Sequence, residues 1–230
     1  MSRTRLLFVA IVATLFIPSI AAAQGRPGFS LCIERGSRVA PTLRPVDEAA
    51  RKSDFAEFRR RLQDAVARKD EAAILAVVDP KVRISFDDPV STQTFKTQVI
   101  DHPDQDFWRE FGTILRLGGR FLEDDTFGAP YTYSAWPDAF DSFECLAITG
   151  SRVRVRAAPR LDGQVLTVLD YAIVTSNRGS VETPGWTGVQ LPDGRTGFVS
   201  AQFVRSPVDH RALFQFHDGR WWLMAYVAGD

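Results

Sequence analysis

Apolar residues recur at helical spacing from Phe55 onward. Phe55, Phe58, Leu62, Ala65 and Val66 fall on one face, with Arg59, Arg60, Arg61 and Asp64 on the other. Asp54 and Glu57 fit a capping box at the start of this helix. Asp70 is placed to cap a short second helix through Ile74, Leu75, Val77 and Val78, which Asp79-Pro80 stops. Next, Val82, Ile84 and Phe86 alternate with Arg83 and Ser85, the pattern of a half-buried strand. A third helix is expected over residues 104–117, with Phe107, Trp108, Phe111, Ile114 and Leu115 apolar and Gly118-Gly119 ending it. Strand-like stretches follow at residues 131–136 and 143–149.

At Gly150 the pattern changes to short β-rich runs, residues 153–156, 165–169, 186–191 and 197–199, spaced as in a small barrel. Asp193-Gly194 suits a hairpin turn between two of them. In the first run, Val153 and Val155 are expected inward, with Arg152, Arg154 and Arg156 outward. Pro207 ends this region. The tail then reads as a second hairpin, in which Leu213, Phe214 and Phe216 lead into Asp218-Gly219 and residues 221–227 return. It is too apolar to stand uncovered. Trp221 and Trp222 must point to opposite faces, one into the core and the other toward a helix, the inserted module or a homodimer seam.

The amino terminus sets Arg3 and Arg5 before an apolar run broken at Pro18-Ser19, then Ala21-Ala22-Ala23. This is the pattern of a secretory signal over residues 1–23 rather than a membrane anchor, and it predicts a periplasmic or secreted protein. Residues 24–50, rich in Gly and Pro, read as an extended arm. Cys32 and Cys145 are the only cysteines. In an oxidising compartment a single disulfide between them is the simplest use, two buried thiols the alternative. Two of the 28 basic residues lie in the leader, leaving 26 against 28 acidic ones, a formal charge of −2 for the remaining chain. That balance argues against nucleic acid or an anionic membrane as the main partner. Residues 145–206, with seven Arg, no Lys and four acidic residues, carry about +3.

"VRVRAAP", "GQVLTVLDYAIV", Trp186 and "DGRTGFVSAQFV", in that order, resemble the bacterial SH3-type (SH3b) module. Val153, Val155, Arg156 and Pro159 fit its opening motif, with Ala158 where Gly is usual. Gly197 and Val199 fit its closing segment, with Phe198 in place of Trp and Phe203 as the late aromatic. The remainder, helix, short helix ending in Asp-Pro, strand, and the final hairpin "ALFQFHDGRWWLMAYV", resembles the nuclear-transport-factor-2-like (SnoaL-like) cone. The resemblances imply an α+β fold: a cone-like curved antiparallel sheet with N-terminal helices over residues 51–144 and 207–230, interrupted by an SH3-type β-barrel at residues 145–206.

The histidines, His102, His210 and His217, are scattered without metal-ligand spacing, and no C-x-x-C, G-x-S-x-G or phosphate-binding glycine loop occurs. No metal or cofactor is expected. Paired cysteines leave no thiol nucleophile, so the reading favours a non-enzymatic protein. The SH3-type resemblance implies binding of cell-envelope material, a peptidoglycan peptide or an envelope protein, through Arg154, Arg156, Trp186 and Phe198. The rival reading places a small molecule or an enzymatic site in the mouth of the cone, with Asp101, His102, Tyr131 and Tyr133 as lining.

Overall fold

The computed structural model describes Cys32, Ser37 and residues 39–181 and 183–229, so the leader and most of the arm before residue 39 lie outside the described residues. The chain is α+β. A 3-10 turn, Ala49–Arg51, leads into α1 (Ser53–Arg68), α2 (Glu71–Leu75) and β1 (Val78–Arg83). α3 (Thr92–Phe95) continues into a π turn, Lys96–Ile100, and α4 spans Phe107–Arg116. β2 (Arg120–Glu123), β3 (Thr126–Ala129) and the one-turn α5 (Tyr131–Ser134) follow. Seven strands then come in succession: β4 (Cys145–Ile148), β5 (Val153–Arg156), β6 (Val165–Leu169), β7 (Ile173–Ser176), β8 (Trp186–Gln190), β9 (Thr196–Ser200) and β10 (Val204–Arg205). β11 (Arg211–His217) and β12 (Arg220–Val227) close the chain.

These strands form two sheets. One has the order β1-β12-β11-β3-β2, with β1 parallel to β12 and every other pair antiparallel. The other, order β10-β4-β7-β8-β9-β5-β6, is antiparallel and draws all its strands from residues 145–205. The last hairpin therefore returns to the first sheet, between β1 and β3.

Each sheet has its own core. Against the first, α1 lays Phe55, whose ring centroid is 4.3 Å from that of Phe127 and 4.7 Å from that of Trp221. α4 adds Phe107 and Phe111 beside Tyr226. Burying one such ring stabilises the fold by roughly 1.5–3 kcal/mol. Val153, Val155, Val174, Val189, Leu191 and Val199 fill the second sheet's interior. A Cβ on Gly197 would stand 2.6 Å from Val155 Cγ1, so glycine is what allows β9 to approach β5. A third cluster joins the two layers: Tyr131 and Leu117 from the first meet Ala147 and Ile173 from the second around Cys32 and Cys145, which form a disulfide.

The structure departs from the sequence reading at identifiable points. α1 begins after Lys52 with no side-chain cap, because Asp54 instead accepts the Trp221 indole N–H at 2.9 Å. Glu57 turns to Arg60. Asp79-Pro80 lies within β1 rather than merely ending a helix, which Pro tolerates because β1 is an edge strand. α4 starts at Phe107, capped by Asp106, whose carboxylate accepts the Arg109 N–H. The strand expected at residues 131–136 is a helical turn, held by Tyr133 and Ser134 N–H groups donating to the Pro130 carbonyl. The described part of the arm is not free: the Leu43 N–H donates to the Tyr171 carbonyl and the Ile173 N–H to the Pro41 carbonyl, both at 2.7 Å. Trp221 is core, whereas Trp222 stacks on His217 and lies under the Arg220 guanidinium.

The disulfide closes a separation of 113 residues. Constraining an unfolded loop of that length stabilises by roughly 4–5 kcal/mol in the chain-entropy model. Urea unfolding of the Cys32→Ser/Cys145→Ser protein is expected to lose up to about that amount, with the near-UV circular dichroism unchanged at low urea. A loss under about 1 kcal/mol would show that the apolar cluster, not the covalent tether, holds the layers together.

Candidate functional site

The alternation along β5 sets the site. Val153 and Val155 are buried, Arg154 is exposed and Arg156 half-buried. Arg152, one residue earlier, has a left-handed backbone with φ 55°, stabilised by its N–H donating to Asp170 Oδ1 at 2.7 Å. Three guanidinium side chains thus leave one short segment on the outer side of the sheet. β8 brings Trp186 alongside, and the 3-10 turn after β9 (Ala201–Phe203) brings Phe203.

Together these residues line an open cavity of about 230 Å³. Leu161, 80 % exposed, stands at its edge, and Ser200 and Gln202 supply neutral polar groups. No carboxylate of the described residues lines it. Arg156 is positioned by its Nη1, which donates to the Gly163 carbonyl at 2.7 Å. The groove is therefore cationic through its arginines, with apolar lining from Leu161, Trp186 and Phe203. Such a surface pairs with an anionic group that carries an apolar neighbour, through charge-assisted hydrogen bonds from arginine and contact with the indole and phenyl faces.

Of the four residues expected here, Arg154, Arg156 and Trp186 meet in the groove. Phe198 does not line it; it sits directly across from Arg156 on β9 and flanks the wall, half-buried. Phe203, the late aromatic of the closing segment, lines the groove too, and Leu161 supplies apolar lining that the sequence did not point to.

The four residues expected in a cone mouth are not gathered there. Asp101 is paired with Lys96 at 2.9 Å on the surface. His102 uses its ring Nδ1 to accept the Asp104 N–H, the loop-capping arrangement. Tyr131 belongs to the disulfide cluster; its hydroxyl is buried without a partner among the described residues, and burial pushes its pKa up to about 12. Tyr133 lies beneath the Arg211 guanidinium, 4.9 Å from its ring centroid.

A different polar cluster occupies the junction between the layers. Arg205 of β10, almost fully buried, donates from Nη2 to Glu110 Oε1 of α4 at 2.6 Å and to the His210 carbonyl. Asp209 accepts the Ser206 N–H, and burial raises its carboxyl pKa. Burial likewise holds the His210 imidazole below its usual range. No single stretch of sequence marks this cluster, since its members come from α4, β10 and the connection to β11. A third histidine, His217, is bracketed by Asp79 at 3.0 Å and Asp218 at 3.1 Å. Among the described residues, no three His, Cys, Asp or Glu side chains are grouped to hold a metal ion, and no helix is long and apolar enough to cross a membrane.

Neither a protein-family model nor a curated protein matches the chain. Among solved structures it is similar to one from Xanthomonas campestris named as a calcium/calmodulin-dependent protein kinase II association domain. The identity is 13 %, over 84 % of this chain and 96 % of that one, with a TM-score of 0.26.

His210 gives a pH dependence with a definite sign. Its folded pKa lies below the 6.5 of the free side chain, so the unfolded chain takes up the proton first as pH falls, and stability declines from about pH 6.5 downward. Asp209, shifted upward, acts oppositely at lower pH, regaining stability as it protonates above its free value of 3.8. Unfolding free energies measured from pH 7.5 to 5 are expected to fall, with a shallower fall in His210→Asn. Equal slopes for both proteins would remove His210 from this role.

Proposed function

We propose that this chain is an exported, non-enzymatic binding protein that recognises cell-envelope material through an SH3-type barrel inserted in a cone-like α+β domain. The continuous run of seven strands between β3 and β11, and the return of β11 and β12 to β1 and β3, support the inserted arrangement. The disulfide supports an oxidising compartment.

The observation that carries the functional reading is the arginine groove. Arg152, Arg154 and Arg156 line about 230 Å³ together with Trp186 and Phe203, and no carboxylate of the described residues joins them. Its proposed ligand is a peptide that offers a carboxylate beside a small apolar side chain, as peptidoglycan stem peptides do; an envelope protein segment of the same chemistry is the alternative partner. Recognition needs no proton transfer or nucleophile, only charge-assisted hydrogen bonds in a half-desolvated groove.

Purified sacculi provide the test. The chain from Gln24 onward is expected to be retained on them, and the Arg154→Ala/Trp186→Ala protein to bind roughly tenfold or more weakly, since central Arg and Trp contacts dominate such surfaces. Near-UV circular dichroism checks that the double variant is folded. Undiminished retention of that folded variant would exclude the groove as the binding site.

A further inference from the structure

A second cavity, of about 200 Å³, opens where α4 meets the connection after β10 and the end of β12. Its wall carries Glu110, His210 and Tyr226, with the exposed carboxylates of Asp104 and Asp106 beside them. The Tyr226 ring is packed into the core, only 2 % of the residue being exposed, and its hydroxyl, which makes no hydrogen bond among the described residues, opens onto the cavity. The His210 ring nitrogens make no hydrogen bond among the described residues, and the His210 and Tyr226 rings stack with centroids 4.7 Å apart and planes 22° from parallel.

Glu110 gives one oxygen, Oε1, to Arg205 and keeps Oε2. With burial favouring the neutral imidazole, the wall presents three acceptors: a carboxylate oxygen, a phenol oxygen and a ring nitrogen. The charged lining is three carboxylates against one guanidinium, Arg109, which leans on Asp106 at 3.5 Å. An anion is disfavoured in such surroundings. A neutral alcohol offers a single donor, whereas a primary ammonium offers three N–H donors and a positive charge. At about 30 Å³ per water-sized group, the volume suits that head with a short hydrocarbon tail.

We propose that this cavity binds a primary ammonium group on a short aliphatic chain, with Glu110, Tyr226 and His210 as its three acceptors. The site is separate from the arginine groove and stands or falls without it.

The test is an NMR titration of the whole chain from Gln24 with n-butylammonium chloride, following the His210 imidazole signal, with 1-butanol and sodium butyrate as controls. A saturable His210 shift is expected for butylammonium, with roughly fivefold or weaker binding of 1-butanol and none of butyrate. Tyr226→Phe keeps the packed ring and removes only the hydroxyl, and is expected to weaken butylammonium roughly fivefold. Glu110→Gln also loosens Arg205, so the decision rests on Tyr226→Phe. Absence of a saturable shift in the unsubstituted protein, equal binding of 1-butanol, or unchanged affinity in Tyr226→Phe would each overturn the assignment.

Discussion

The contact on which the rest of the structure depends is that between Phe55 and Trp221. α1 can bury its apolar face only against a sheet that contains β11 and β12, and those strands lie at the far end of the chain. Phe55 meets Phe127, Phe214 and Trp221 at once, and Asp54 satisfies the indole N–H that burial of Trp221 would otherwise leave unpaired. The consequence is topological: everything between β3 and β11 has to leave the first layer and return close to where it left. A second sheet with its own valine-rich core, whose first strand carries Cys145 and whose last carries Arg205, meets that requirement.

The return is fastened at two places of different chemistry. At β4 the disulfide sits in an apolar cluster to which both layers contribute. At β10 a nearly buried arginine reaches Glu110 and a backbone carbonyl across the junction. A buried ion pair of this kind offers little net stability against its desolvation cost, but its directional hydrogen bonds fix the register in which the second layer meets the first. That fixed junction is also what shapes the cavity beside His210 and Tyr226.

Much of this order was legible in the sequence where a pattern is local. α1 declares itself through five apolar positions at helical spacing, and β5 through strict alternation, which by itself points Arg154 and Arg156 outward. Misreadings arose where a distant partner decides. Asp54 looked like a cap and is held by an indole 167 residues away. Tyr131 and Tyr133, β-favouring by type, form a helical turn, with Tyr131 drawn into the disulfide cluster. α3, capped by Ser91, carried its signal in a short Ser-Thr-Gln-Thr stretch that the reading passed over. Of the groove, the arginine wall came from periodicity and Trp186 from the resemblance. Phe198 was placed one step too far in, because its neighbour across the ladder lines the groove and it does not. The Glu110–Arg205–His210 cluster had no local signature, since Glu110 and Arg205 are 95 residues apart.

The arginine groove beside Trp186 and Phe203 is the surface proposed to meet an envelope ligand. Hydrogen–deuterium exchange with and without a soluble peptidoglycan stem peptide tests it most directly. Slowed exchange is expected, confined to residues 151–156 and the neighbouring segment 200–203, with α4 and β12 unchanged. Protection appearing instead around residues 104–110 and 210–226, or nowhere, would contradict it.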